Sequence, residues 1–219
     1  MKQLLAKGLL VLASFATFST ASAQFSDLIG TFRNTNYYVV LESDYASDPI
    51  DTVIRTMSGK VLAEVPSRFR AAMDIEGTGR LRDGRTVNYA GRINGEIRYW
   101  VVSSEWGLGV GSCPLIPFKS IAVDPKKIAL GSIVQIDETI GMVLPDGSIH
   151  DGIWRAEDVG GAIKQDRVDL FIGLRRNSEY LVQQGIRNMK PLTIRLIAPP
   201  SPGSCVEHLM TFDDEQDSE

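Results

Sequence analysis

The sequence predicts a mainly β domain, a barrel or sandwich of short strands with two short helices. Three observations carry this. Seven short runs are rich in β-branched and aromatic residues: 37–41, 60–65, 98–103, 121–124, 132–136, 168–172 and 192–197. Two tight-turn signals sit between such runs, Asp83-Gly84 after Arg80-Leu81-Arg82 and Pro145-Asp146-Gly147 after Met142-Val143-Leu144. Finally, the 219 residues are 43% hydrophobic and 8% aromatic, enough for a packed core and unlike a disordered or collagen-like chain.

In chain order, the N-terminus comes first. Lys2 and Lys7 precede an apolar run from Gly8 to Phe18, and Ala21-Ser22-Ala23 follows. A charged start, a short apolar segment and an Ala-x-Ala site predict a secretory signal peptide over 1–23, with Gln24 the first mature residue. The run is too short for the roughly 20 residues that span a bilayer. The expectations are an exported protein of the periplasm or extracellular space and no integral membrane segment after cleavage.

The remaining 196 residues carry 21 basic and 27 acidic side chains, a net charge of −6 against −4 for the whole chain. Five of those acids fall in 213–219, an acidic tail beyond the Pro199-Pro200-Ser201-Pro202-Gly203 linker. The domain proper is therefore 24–198, with 199–219 as linker and tail. The body is close to neutral, with none of the basic excess of a nucleic-acid binder. A monomer is expected.

Within the domain, a first helix is expected over Ser67 to Met73, following Pro66, with Ser67 as its cap. A second is expected over Ser178 to Gln184, with Glu179 in its first turn and Gly185 as its stop. Cys113 and Cys205 are an even pair in an oxidising compartment, so one disulfide is expected, two free thiols being the alternative. Two cysteines with the scattered His150 and His208 are a poor zinc set, and no metal or other cofactor is implied.

The chemistry concentrates in 156–173, Ala-Glu-Asp-Val-Gly-Gly-Ala-Ile-Lys-Gln-Asp-Arg-Val-Asp-Leu-Phe-Ile-Gly. Asp158 precedes a Gly-Gly pair that permits a sharp turn. Asp169 interrupts an apolar strand, and alternation places it on the face opposite Val168 and Leu170. From spacing alone it is either a solvent-facing acid or one held in a site. A second acid, Asp124, ends the apolar run Ile121-Ala122-Val123 and precedes Pro125, which alone reads as a turn.

Taken together, Val123-Asp124-Pro125, Leu130-Gly131-Ser132, Asp158-Val159-Gly160-Gly161-Ala162-Ile163-Lys164 and Asp169 resemble the three-aspartate (3D) domain, shared with the membrane-bound lytic transglycosylase A family. Upstream, Thr35-Asn36-Tyr37-Tyr38 resembles that family's Thr-x-Tyr-Tyr strand. Glu76-Gly77-Thr78-Gly79, with Asp83-Gly84, resembles its Gln-Gly-Ser-Gly segment and hairpin, and Tyr89-Ala90-Gly91 before Asn94-Gly95 also matches. The likeness runs from about Phe32 to Ala198. Glu76 stands where the family has glutamine, and Gln165 where it has glycine. The chain is also too short for the family's full second domain.

The resemblance implies a six-stranded double-psi β-barrel with a reduced accessory subdomain and a groove for peptidoglycan glycan strands. It also implies cleavage of the MurNAc-β-1,4-GlcNAc bond with formation of a 1,6-anhydro end. By position, Asp169 is the catalytic aspartate, with Asp158 and Asp124 supporting it. Thr35, Tyr37, Glu76, Lys164 and Trp106 are substrate-binding candidates, and Tyr99 and Trp100 further stacking candidates. An inverting glycoside hydrolase and a non-catalytic wall-binding module are the alternatives.

Overall fold

The computed structural model describes residues 27–207; the expected signal peptide and the acidic part of the tail lie outside the described residues. Eleven strands and two helices follow in order: β1 Asp27–Leu41, β2 Ile50–Arg55, β3 Val61–Pro66, α1 Ser67–Glu76, β4 Thr78–Arg80, β5 Thr86–Ile93, β6 Glu96–Val102, β7 Ser120–Ala122, β8 Ile133–Val143, β9 Ile149–Asp158, β10 Arg167–Leu174, α2 Asn177–Gln183 and β11 Pro191–Ala198.

Six strands close into a barrel in the order β1-β10-β7-β9-β8-β11, with β11 returning to β1. The β1–β10 and β7–β9 pairs are parallel and the other four antiparallel. Closure pairs every edge, so the barrel offers no free ladder to another chain. Its interior is filled by side chains such as Trp154, Ile136, Val168, Leu170, Ile172 and Ile194. Trp154 is fully buried, and its indole N–H donates to Thr139 Oγ1 at 3.0 Å, so the core's largest ring leaves no orphaned donor.

β1 is long enough to serve two sheets. Its register against β10 shifts between Tyr37 and Val39, and beyond that bulge Val40 and Leu41 pair with Gly79 and Arg80 of β4. β4, β5 and β6 extend the sheet away from the barrel, and β2–β3 form a separate hairpin. α1 and these strands enclose a second hydrophobic cluster around Phe69, Met73, Val65, Val87 and Tyr99. The two larger cores among the described residues thus share one strand.

Both turn signals form hairpins, β4–β5 and β8–β9. Ser67 departs from the cap role: it is the first residue of α1, and its backbone N–H and hydroxyl both donate to the Asp51 carboxylate, at 2.7 and 3.0 Å. An acid on β2 supplies the acceptor that an N-terminal serine was expected to supply. α1 stops at Gly77, whose φ of 84° lies in the left-handed region and whose N–H reaches Met73 O at 2.8 Å. Glu76 is thereby the last helical residue. Cys113 and Cys205 form a disulfide, which ties the loop after β6 to the C-terminal segment. Ser112 N–H adds a bond to Cys205 O at 3.1 Å. No described helix is long and apolar enough to cross a membrane.

Candidate active site

A groove of about 980 Å³ runs along the seam between the two cores. The barrel supplies Thr35, Tyr37, Asp158 and Asp169; the flanking part supplies Glu76, Asn88 and Tyr89; the loop after β6 supplies Leu108 to Val110. Strand register explains the barrel's share. Thr35 and Asp169 are direct partners on the parallel β1–β10 pair, and Asp169 is also paired with Ala122 of β7. Ala122 pairs in turn with Asp158 at the end of β9, so three adjacent strands bring the two aspartates to one wall.

Alternation does put Asp169 on the face opposite the buried Val168 and Leu170, but that face is the groove wall rather than open solvent. Its Oδ1 is buried with no hydrogen-bond partner. Burial pushes the Asp169 carboxyl up to about 6, against the lowering influence of the Thr35 hydroxyl and the Arg167 charge. Asp158 is raised further, to about 7, mainly by burial and also by the like charges of Asp169 and Glu157. Two donors oppose this rise: Tyr37 O–H at 2.9 Å and Val159 N–H at 2.8 Å. Tyr37 is itself buried, packed at 5.0 Å on Phe171, and its phenol is held well above its ordinary range by burial and by Asp158.

Besides Asp74, which also lines the groove, Glu76 is a further carboxyl there. It accepts the Tyr38 N–H at 3.2 Å and is raised to about 7, first by burial and then by the charge of Asp169. Three carboxyls, each holding its proton more tightly than a free acid, therefore face one space: Glu76, Asp158 and Asp169. Interacting acids of this kind titrate as a set.

Asp124 is not one of them. Its carboxylate accepts the Gln165 N–H at 2.8 Å and the Lys126 N–H at 3.0 Å, and these backbone bonds hold it below the ordinary aspartate range. It does not line the groove. It staples the loop after β9, where Gln165 takes the left-handed φ of 59° that glycine would tolerate more readily. The glycine pair on that loop also acts differently from expectation. Neither residue has a positive φ, but a Cβ on Gly160 would come within 2.5 Å of Ile163 Cγ1, so Gly160 is required for space.

Two further candidates lie elsewhere. Trp106 packs edge-on against Phe171 at 6.4 Å with Arg80 over its ring, in a small cluster behind the groove. Lys164 is exposed and reaches Gly160 O at 3.4 Å. Of the stacking candidates, Tyr99 is fully buried and donates to Asp74 near the end of α1. Trp100 sits on β6 opposite Asn88 and does not line the groove. Sequence reading passes over two polar residues that the fold brings in. Asn88 is buried on β5 and bonds to both the N–H and the carbonyl of Leu108, pinning the loop after β6. Arg167 donates to Thr35. The signal for the arginine is its place two residues before Asp169, on the same face of β10.

Residues 119–188 match the model of the 3D domain. The chain carries a 3D domain. All three aspartates lie inside the matched stretch, whereas Thr35, Tyr37 and Glu76 join the 3D domain from outside it. Among solved structures, the chain is similar to MltA of E. coli with bound chitohexaose: 18% identity, 78% of this chain and 73% of that one covered, TM-score 0.52. It also matches the lytic transglycosylase LtgG of Burkholderia pseudomallei, at 21% identity over 78% and 73% of the two chains, with a TM-score of 0.46. The likeness to MltA extends the common fold beyond the 3D domain to most of the chain. No curated protein matches in sequence.

Proposed function

We propose that the protein is a lytic transglycosylase of peptidoglycan, cleaving the bond between N-acetylmuramic acid and N-acetylglucosamine. The observation that supports it is the set of three proton-retaining carboxyls on one open groove, with Asp169 Oδ1 buried and unpartnered. Glycosidic oxygen leaves poorly unless protonated, so the reaction needs an acid that keeps its proton near neutral pH. Asp169, raised to about 6, meets that requirement.

In the proposed mechanism, protonated Asp169 gives its proton to the glycosidic oxygen as the C1–O bond breaks. The carboxylate left behind takes the proton of the C6 hydroxyl of the same muramic acid as that oxygen bonds to C1. The sugar closes to its 1,6-anhydro form, and Asp169 ends protonated as it began. The nucleophile is already attached to the substrate, which favours closure over attack by water. Asp158 and Glu76 hold their protons beside this centre and limit the cost of the transient Asp169 charge. Asp158 is in turn oriented by Tyr37. Asp124 contributes by shaping the loop. That E. coli MltA was solved with a chito-oligosaccharide bound agrees with a glycan-binding groove on this fold. The disulfide fits an exported protein working in an oxidising envelope compartment.

The test is to incubate the mature protein with purified sacculi and identify soluble products by mass spectrometry. Anhydro-muropeptides are expected, and Asp169→Asn should lower their rate by at least about 100-fold, the scale of general acid–base catalysis. Products with reducing ends would replace this reading with hydrolysis. Binding without cleavage would replace it with a wall-binding module.

A further inference from the structure

The described residues end at Glu207, and the sequence beyond it places Asp213, Asp214, Glu215, Asp217 and Glu219 in one run. No cation stands among these five acids to relieve their repulsion. Their point of departure is fixed. The disulfide holds Cys205, and Glu207 N–H is bonded to Ser204 O at 3.0 Å. Pro200, Ser204 and Val206 pack over Gly131, where an added Cβ would lie 3.1 to 3.3 Å from each. Lys127 is four residues upstream of Gly131, a stretch that spans at most about 15 Å.

A basic surface begins at that lysine. The Asp124 carboxylate accepts the N–H groups of Lys126 at 3.0 Å and Gln165 at 2.8 Å, which joins the 124–127 turn to the loop carrying Lys164. Lys164 Nζ sits 3.4 Å from Gly160 O, and Gly160 lines the groove. The two acids set among these cations are engaged: Asp124 by the two backbone amides, Asp166 by Arg33 at 3.0 Å. Lys126, Lys127 and Lys164 are left exposed.

We propose that the acidic segment 213–219 docks on Lys126, Lys127 and Lys164 of its own chain and from there covers the Gly160 end of the groove. The six steps from Glu207 to Asp213 reach at most about 20 Å, and the rest of the segment adds about 20 Å more. That is enough to meet the lysines of the turn and follow them to the groove. Exposed ion pairs are individually weak, but a short tether holds the acids at roughly millimolar effective concentration. The occupant is this segment because it carries the opposite charge and is delivered to the edge of the patch. The docked segment competes with a glycan strand for that end of the groove, a consequence that rests on the function proposed above.

The experiment compares the mature protein with a variant whose five acids are amides: Asp213→Asn, Asp214→Asn, Glu215→Gln, Asp217→Asn and Glu219→Gln. At about 10 mM ionic strength, where screening sets in only beyond about 30 Å, backbone amide NMR shifts of the two should differ at 125–127 and 160–165. The differences should vanish near 1 M salt, where the screening length is about 3 Å, and in a Lys126→Glu/Lys127→Glu background. Carbodiimide, which joins a carboxylate to an amine only in contact, should link 213–219 to these lysines and not to Lys60 between β2 and β3. No shift differences in 27–207, or differences on another face, overturn the docking. Links found only between isotopically distinct copies overturn it as an intramolecular contact. On sacculi at low salt the amide variant should cleave about two-fold faster or more, since a segment bound at roughly its effective concentration is docked about half the time. Equal rates overturn the covering of the groove. Because the spectra need no turnover, docking in a protein that releases no anhydro-muropeptides would refute the proposed function and confirm the docking.

Discussion

Replacing Asp158 by asparagine isolates the cost of keeping that acid in the groove. The folded protein holds its proton up to about 7, against an ordinary 3.8. Each pH unit of separation is worth about 1.4 kcal/mol, so the gap of about three units sets a ceiling near 4 kcal/mol. Coupling to Asp169 and Glu157 spreads part of that over the neighbours, and about 2 kcal/mol is the expected share. The sign follows from which state binds more protons. Below about pH 3.8 both folded and unfolded chains keep the Asp158 proton, and nothing is lost. Between there and about 7 the unfolded chain ionises first, so the folded state loses stability as pH rises. The amide that replaces the carboxyl cannot ionise. Urea unfolding at pH 4 and pH 8 should therefore show wild type losing about 2 kcal/mol more than Asp158→Asn across that interval, while the variant's glycan cleavage falls. Parallel pH dependence in the two proteins would refute the assigned burial cost.

Two other perturbations probe the supports of the groove. Removing the disulfide as Cys113→Ala/Cys205→Ala frees a loop with a sequence separation of 92, for which chain entropy predicts about 4.6 kcal/mol at most. Guanidinium unfolding should show a loss of several kcal/mol, and a loss under about 1 kcal/mol would show that the unbridged segments stay docked. Asp124→Ala deprives the Gln165 and Lys126 amides of their acceptor, so the Gln165 amide should exchange with solvent several-fold faster and cleavage should slow. Because Asp124 is held below the ordinary aspartate range, its contribution is present at neutral pH and fades on acidification. The variant should thus approach wild type in acid.

What is legible in the chain follows the range of each interaction. Turn dipeptides and period-two alternation act within a few residues, so the β4–β5 and β8–β9 hairpins and most strands stand out. β2 does not, because Asp51, Thr52 and Arg55 make it look polar; its partner β3 and the helix above give it a reason to be extended. The full length of β9 is hidden by Gly152, which sits mid-strand at φ 82°. The helix begins at Ser67 as read, but what caps it is hidden for a related reason: the acceptor, Asp51, comes from another element. At the site, the aspartate motif points to Asp158 and Asp169, and their convergence depends on β7 lying between β9 and β10. No local pattern shows that. Asp124 belongs to the same motif yet serves the backbone, and that distinction is carried by hydrogen-bond partners rather than residue type.

The long first strand has a consequence of its own. Asp158, Asp169 and their β1 partners Thr35 and Tyr37 all sit on the barrel side of the bulge after Tyr37. Glu76 hangs from the other side, through β4 and the end of α1. The aspartate pair is thus a self-contained cassette, and the opposite bank of the groove is an attachment whose distance is set by a few residues of one strand. Changes in the attachment can retune Glu76 and the width of the channel while the cassette stays intact.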